Sequence, residues 1–278
     1  MFSLNSPPAS NGLMISETPT QETPLAGGNV NVDVVRVGDT VRRATSPHSA
    51  SVHRLLLHLE AKGFAGSPRF LGLDGQGREV LSFVEGDAGV SSGTWLSEDA
   101  LVAAAALLKA YHDAVAEFEF GAEDRWAFRY PDRRRWEVVC HNDFAPYNLI
   151  FRAGAPAGII DFDLAGPGPR LRDLAYLAYW TVPLSFHSEE LKAAALTDLG
   201  DGSRRLKRLC ATYGLACDEA LLAMVADVLR HMGDEAAMLA MIGLPATERL
   251  KQDGHLDHWM RERDAFERHR ALLSRNIS

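Results

Sequence analysis

Two short apolar runs, residues 138–140 and 149–151, enclose a loop that brings a His, an Asp and an Asn into eight positions: His141-Asn142-Asp143-Phe144-Ala145-Pro146-Tyr147-Asn148. A loop clamped between two buried strands is a rigid mount for polar side chains. Shortly after it, the run Ala157-Gly158-Ile159-Ile160 ends in Asp161-Phe162-Asp163. Ionised carboxylates at the end of a buried strand need a partner, which a metal ion or a substrate supplies. Any fold for this chain must therefore place a small β island, with its polar loop, inside whatever surrounds it.

The surroundings change character along the chain. Residues 1–25 are rich in Ser, Pro, Thr and Asn without a sustained apolar period and are expected to form a flexible tail. Order is expected from Gly27. Val30, Val32 and Val34 alternate, then Val35, Val37 and Val41 do so after a change of phase, with Gly38-Asp39 as a hairpin signal. Val52, Leu55, Leu56 and Leu59 have helical spacing over residues 51–62, and Gly63 closes that helix. Residues 69–73 and 79–84 read as two further strands around the turn Asp74-Gly75-Gln76-Gly77. Gly86, Gly89 and Gly93 mark a linker. From Ser97 the pattern is helical, with helices expected from 97 onward and over 171–182, 188–199, 203–213, 218–242 and 246–273. The expected architecture is an α+β fold in two lobes. A small antiparallel-sheet lobe with one helix covers residues 26–86, and a larger, mostly helical lobe covers 87–278.

Composition excludes several function classes. Against 29 basic residues stand 37 acidic ones, a net charge of −8, which disfavours nonspecific nucleic-acid binding and suits cationic ligands. Cys140, Cys210 and Cys217 form neither a disulfide framework nor a CxxC pair. The longest apolar run, residues 100–108, is far short of the roughly 20 residues that span a bilayer. The N-terminus lacks a basic start followed by an apolar block, so no signal peptide is expected, and the location expected is the cytoplasm.

The polar loop and the carboxylates beyond it supply what phosphoryl transfer needs. One Asp can orient an attacking hydroxyl, while an amide oxygen and another carboxylate can hold Mg²⁺ against the phosphates. Asp143, Asn148 and Asp161 match those roles in chain order. The spacing His141-x-Asp143-x-x-x-x-Asn148, with Ile160-Asp161-Phe162-Asp163 following eighteen residues after Asp143, resembles the aminoglycoside phosphotransferase and choline kinase-like superfamily. Arg170-Leu171-Arg172-Asp173-Leu174-Ala175-Tyr176 is similar to a segment of the same family, and the resemblance runs over about residues 27 to 260.

The resemblance implies a protein-kinase-like fold, with ATP or GTP bound between the lobes near residue 86. It implies Asp143 as the catalytic residue beside the acceptor hydroxyl, Asn148 and Asp161 as Mg²⁺ ligands, and His141 and Asp173 as braces of the catalytic loop. Asp163 either helps a second metal or caps the next turn. Ser82 and Val84 correspond to the hinge whose backbone meets the nucleotide base, and Gly27, Gly28 and Asn29 to the loop over the phosphates. The family's phosphate-binding lysine is missing, since Lys62 lies at the end of a helix. Arg42 takes its place in this reading, with Arg43 as the alternative. No Glu stands where the family puts the lysine's partner, and His53 lies near that position.

The acceptor implied is a hydroxyl on a small molecule: an aminoglycoside, choline, another amino alcohol, homoserine, a sugar or a macrolide-type hydroxyl. Glu189, Glu190, Asp198, Asp234 and Glu235 suit a cationic acceptor and suit solubility equally well. Two rival readings stand beside this one, a non-catalytic nucleotide-binding protein on the same fold and a protein-modifying kinase. Tyr176, Tyr179 and Trp180 are expected in the core, His112 as a satisfied packing residue and Cys140 as an apolar filler.

Overall fold

A computed structural model of the chain describes residues 21–25, 34–89, 95–182, 184 and 199–277. The chain divides into two compact units. The first comprises Met1–Thr45 with Phe70–Phe83, and the second Ser46–Arg69 with Val84–Ser278.

The first unit is a five-stranded antiparallel sheet. Its strands are β1 (Thr23–Pro24), β2 (Val35–Val37), β3 (Thr40–Arg43), β4 (Phe70–Leu73) and β5 (Glu79–Ser82), in the order β1-β2-β3-β5-β4. Gly38, with φ of 59°, makes the tight β2–β3 turn that the Gly38-Asp39 pair predicts. The turn between β4 and β5 is organised by Asp74, whose carboxylate accepts the backbone N–H of Gln76 and of Arg78, both at 2.9 Å. The segment expected as a tail ends in β1. Thr23 pairs with Arg36 and Pro24 with Val35, and the Glu22 carboxylate bonds Arg78. Pro24 sits at the sheet edge, where its missing N–H costs nothing.

In the second unit, α1 (Ser49–Ala61) buries Val52, Leu55, Leu56 and Leu59 on one stripe. Arg54 pairs with Asp124, His58 Nε2 meets the Ala114 carbonyl at 2.9 Å, and Ser51 Oγ accepts the Arg125 N–H at 2.7 Å. Those partners, distant in sequence, are why α1 belongs to this unit, whereas the sequence pattern groups it with residues 26–86. Next come β6 (Asp87–Ala88) and the long helix α2 (Glu98–Ala114), which Ser97 caps by accepting the Ala100 N–H at 3.1 Å.

The β island consists of β7 (Val138–Cys140), β8 (Leu149–Arg152), β9 (Ala155–Ile159) and β10 (Gly166–Gly168). Together with β6 it forms two small antiparallel sheets, β6-β8-β9 and β10-β7. β10 has no apolar signature because its residues are Gly-Pro-Gly. Gly166 is needed there, since a Cβ would collide with the Phe128 carbonyl. Gly89 likewise lies where a Cβ would meet the Pro146 carbonyl of the polar loop, so it allows a close approach as well as marking a linker.

The remaining helices are α3 (Arg170–Thr181), α4 (Leu199–Tyr213), α5 (Glu219–Met232), α6 (Glu235–Ile242), α7 (Leu244–Gln252) and α8 (His255–Ile277). α8 lies along α5 and α4, α3 packs on α5, and α2 packs on α4 and β9. Where one helix was expected over 218–242 there are two, because Gly233 ends α5 and Asp234 caps α6 through the Ala237 N–H. The helix expected over 246–273 is also divided, at Gly254, whose φ is 75°. Most of the helix expected at 188–199, with Glu189, Glu190 and Asp198, lies outside the described residues, as do Val30, Val32, Gly27, Gly28 and Asn29. Among the described residues no helix is long and apolar enough to cross a membrane.

Candidate active site

The polar loop leaves β7 at Cys140 and enters β8 at Leu149 through a short 3-10 turn, Pro146–Asn148. Asp173, from the first turn of α3, holds its start. The buried carboxylate accepts the backbone N–H of His141 at 2.6 Å on one oxygen and that of Asn142 at 2.8 Å on the other. His112 Nε2, on α2, donates to the same carboxylate at 3.0 Å, and its Nδ1 meets the Tyr213 hydroxyl at 2.6 Å. Burial on its own would raise the Asp173 carboxyl, but the bond from His112 and its other donors hold it below the ordinary carboxylate value. His112 is thus the satisfied buried histidine that the sequence suggests, and one of its partners is the brace of the polar loop.

His141 is wholly buried and links the loop to the strand before Asp161. Its Nδ1 accepts the Asp143 N–H at 3.3 Å and its Nε2 donates to the Ile160 carbonyl at 3.0 Å. Burial pushes its imidazole below the ordinary histidine value, so the ring is neutral with its proton on Nε2. Asn142 has φ of 65°, a conformation that costs a non-glycine residue energy and persists only where surroundings impose it. Here Arg172 Nε donates to Asn142 Oδ1 at 2.8 Å, and Asn142 Nδ2 donates to the Leu164 carbonyl at 2.9 Å. The Arg172 guanidinium is itself buried against the Phe128 ring, 4.0 Å from its centroid.

Asp143 is half-buried at the loop's apex. Asn148 Nδ2 donates to its Oδ2 at 2.8 Å and to its backbone carbonyl at 3.0 Å, while the Tyr147 hydroxyl donates to its Oδ1. Burial raises this carboxyl to about 7. The Tyr147 bond opposes the rise and the negative charge of Asp161 adds to it. Asp161 therefore lies close enough for its charge to act on Asp143. It directly follows Ile160, whose N–H bonds the Asn148 carbonyl at 2.9 Å, and its φ is 63°. Asp163 is half-buried in the next turn, closed by the Ala165 N–H on the Phe162 carbonyl at 3.0 Å.

The donor chemistry suits a hard cation. With Asn148 Nδ2 committed to Asp143, the amide oxygen is the atom left to face a ligand, and Asp161 supplies a carboxylate whose charge acts on Asp143. One amide oxygen and one carboxylate, with the remaining positions left to water and phosphate, is a set Mg²⁺ accepts.

The residues expected to meet the nucleotide are spread differently. Arg42 and Arg43 are adjacent on β3 and both buried, within the first unit. Arg42 Nη1 lies 3.6 Å from Asp74, and Arg43 is paired with Glu79 opposite it on β5. The carboxylate facing Arg42 thus comes from the β4–β5 turn. Ser82 ends β5 opposite Thr40, and Val84 begins the second unit. Gly28 lies outside the described residues.

Sequence reasoning missed Tyr147, although an aromatic residue directly before Asn148 was there to be read. Its hydroxyl also meets that of Tyr176 at 2.8 Å. Tyr176 and Tyr179 are buried and nearly parallel, with centroids 6.4 Å apart, and half-buried Trp180 packs edge-on against Tyr147 at 5.5 Å.

A loop carrying an Asp hydrogen-bonded to an Asn, followed by a strand that ends in a second Asp, on a chain of a small antiparallel sheet and a larger helical unit, is the protein-kinase-like arrangement. Solved structures share the fold. The GDP complex of an aminoglycoside 2'-phosphotransferase matches with a TM-score of 0.57 at 15% identity, over 91% of this chain and 94% of that one. The gentamicin complex of APH(2'')-IIa gives 0.56 at 14% over 88% and 93%, and a Plasmodium vivax ethanolamine kinase 0.55 at 14% over 89% and 81%. Residues 114–209 match the phosphotransferase enzyme family. The trifolitoxin immunity protein of Rhizobium leguminosarum bv. trifolii is 34% identical over 203 residues, 69% of this chain and 74% of that protein. The chain belongs to the phosphotransferase enzyme family.

Proposed function

We propose that the protein moves the γ-phosphoryl group of a nucleoside triphosphate, ATP or GTP, onto a hydroxyl of a small molecule. The observation that carries this reading is the arrangement around Asp143. A carboxylate is fixed by Asn148 and Tyr147, on a loop braced from behind by Asp173, with Asp161 beside it. Asp143 accepts a hydrogen bond from the acceptor hydroxyl and turns its oxygen toward the γ-phosphorus. Asn148 and Asp161 hold Mg²⁺, which when bound offsets the charge of the phosphates. Asp173 and His141 keep the loop in place, and Asp163 supports the turn after Asp161. Catalysis here is positioning and electrostatics, because phosphoryl transfer asks little covalent chemistry of the protein.

On the nucleotide side Arg42 stands where the family has lysine. Its guanidinium can exchange Asp74 for phosphate oxygens, a bidentate match that lysine does not offer. Ser82 and Val84 are assigned to meet the base through their backbone, and Gly28, outside the described residues, keeps the phosphate-loop role that the family resemblance implies. A small-molecule acceptor is supported by relatives whose names give gentamicin and ethanolamine as ligand or substrate, and the immunity relative adds trifolitoxin to the candidates.

The test is transfer of label from γ-labelled ATP or GTP, with Mg²⁺, to aminoglycosides, ethanolamine, choline, homoserine, sugars or trifolitoxin. Label is expected on one acceptor class. A nucleotide at about a hundredfold its Kd should also stabilise the folded protein by about 2.7 kcal/mol. The reading is overturned if neither nucleotide with Mg²⁺ raises the melting temperature.

A further inference from the structure

Asp143 has two oxygens to offer an acceptor, and each already accepts a hydrogen bond within the protein. Asn148 holds Oδ2 and Tyr147 holds Oδ1, with the Tyr176 hydroxyl near enough to act on the same carboxylate. The two donors are not equally free to leave. Asn148 is buried, its amide also bonds the Asp143 carbonyl, and its own carbonyl is tied to the Ile160 N–H. Tyr147 is half-buried, and its hydroxyl already has a second partner in Tyr176 at 2.8 Å. A small rotation can therefore give up the bond to Asp143 and keep a hydrogen bond, while the ring stays packed on the edge of Trp180.

We propose that Tyr147 is a positioning residue that fills the acceptor's place on Asp143 until an acceptor arrives. Resting on the phosphotransferase reading, this arrangement would keep the half-buried carboxylate from activating water while a nucleotide is bound. In the free enzyme the Tyr147 hydroxyl occupies Oδ1. The acceptor hydroxyl replaces it, and Tyr147 turns to Tyr176. Water, which brings no binding energy of its own from the rest of an acceptor molecule, does not displace it. The reaction held back is hydrolysis. A water oxygen would bond to the γ-phosphorus as the bond to the bridging oxygen breaks, giving nucleoside diphosphate, inorganic phosphate and a proton to solvent.

The proposal predicts a change that loss of packing alone would not produce. Tyr147→Phe keeps the ring and removes only the hydroxyl. With Mg²⁺ and nucleotide but no acceptor, phosphate release should rise about tenfold or more, the weight of one hydrogen bond to a charged group. With acceptor present, the phosphate released per acceptor phosphorylated should rise as well, and the melting shift caused by nucleotide should match wild type. Tyr147→Met, which fills the ring's place without a hydroxyl, is the second variant should Phe fold poorly, and it should leak in the same way. Equal phosphate release by wild type and a folded, nucleotide-binding variant overturns the role of Tyr147 and leaves the phosphotransferase reading standing. If nucleotide fails to shift the melting of wild type itself, that reading falls and takes the proposal with it.

Discussion

The loop around Asp143 and the strand that carries Arg42 are built on opposite plans. Behind the loop, the Asp173 carboxylate meets two backbone N–H groups and His112, and Arg172 holds Asn142 in a left-handed conformation. These contacts are short and buried. On β3, Arg42 faces Asp74 at 3.6 Å, and that carboxylate is better satisfied by Arg78 at 2.7 Å and two backbone N–H groups. The loop is held by several short, buried hydrogen bonds, whereas the contact between Arg42 and Asp74 is longer. Such a difference fits the proposed phosphotransferase, in which the loop stays fixed and the nucleotide comes and goes.

Removing the brace should have the largest effect. Asp173→Ala strands two buried N–H groups and the His112 donor, at a cost of about 3–5 kcal/mol. Thermal and denaturant unfolding should show this loss. A variant as stable as wild type would mean that the loop does not depend on Asp173.

The two arginines of β3 offer a sharper test because they are neighbours with different partners. Arg43→Ala leaves Glu79 buried without its cation and should cost about 3–5 kcal/mol of stability. Arg42→Ala should weaken nucleotide binding by about tenfold, close to 1.4 kcal/mol. Titration of the melting temperature against nucleotide separates the two. If Arg43→Ala weakens binding and Arg42→Ala does not, the nucleotide is read by the other face of the strand.

A smaller effect concerns acid. His231 packs against Phe128 at 4.7 Å, the ring that also carries Arg172. Burial, helped by the charge of Arg172, lowers its imidazole to about 4, against an ordinary value of 6.5. Between those values the unfolded chain binds a proton that the folded protein refuses. Stability from this site is therefore complete above about 6.5 and is lost as the pH falls toward 4. His141, lowered in the same direction, adds to the slope. The melting temperature should fall between pH 7 and pH 5, and His231→Gln should flatten that fall. An unchanged slope in the variant would assign the acid sensitivity elsewhere.

The two plans also differ in how far they could be read from sequence. His141, Asp143, Asn148 and Asp161 stand close together in the chain, so their spacing alone suggested one site, and hydrogen bonds tie the first three to one another and to Ile160, directly before Asp161. Asp173 stood out through the Arg-Asp-Leu-Ala-Tyr segment. What pairs across long stretches left no local mark. His112 meets Asp173 from α2, α1 is tied to Asp124 and Ala114, and Asp74 faces Arg42 from a turn that reads only as a turn. Tyr147 was visible as a residue, but its role depends on a hydroxyl aimed at Asp143, and aim has no sequence signature. The divisions at Gly233 and Gly254 were hidden by apolar spacing that continues through both glycines.

Turnover by Asp143→Asn tests the central claim most directly, with nucleotide binding measured on the same preparation. The substitution keeps size and leaves the brace of the loop in place. The account predicts a nucleotide-dependent melting shift like that of wild type, and phosphoryl transfer reduced by about a hundredfold to ten-thousandfold. Transfer at the wild-type rate by a clean preparation of the variant would contradict it.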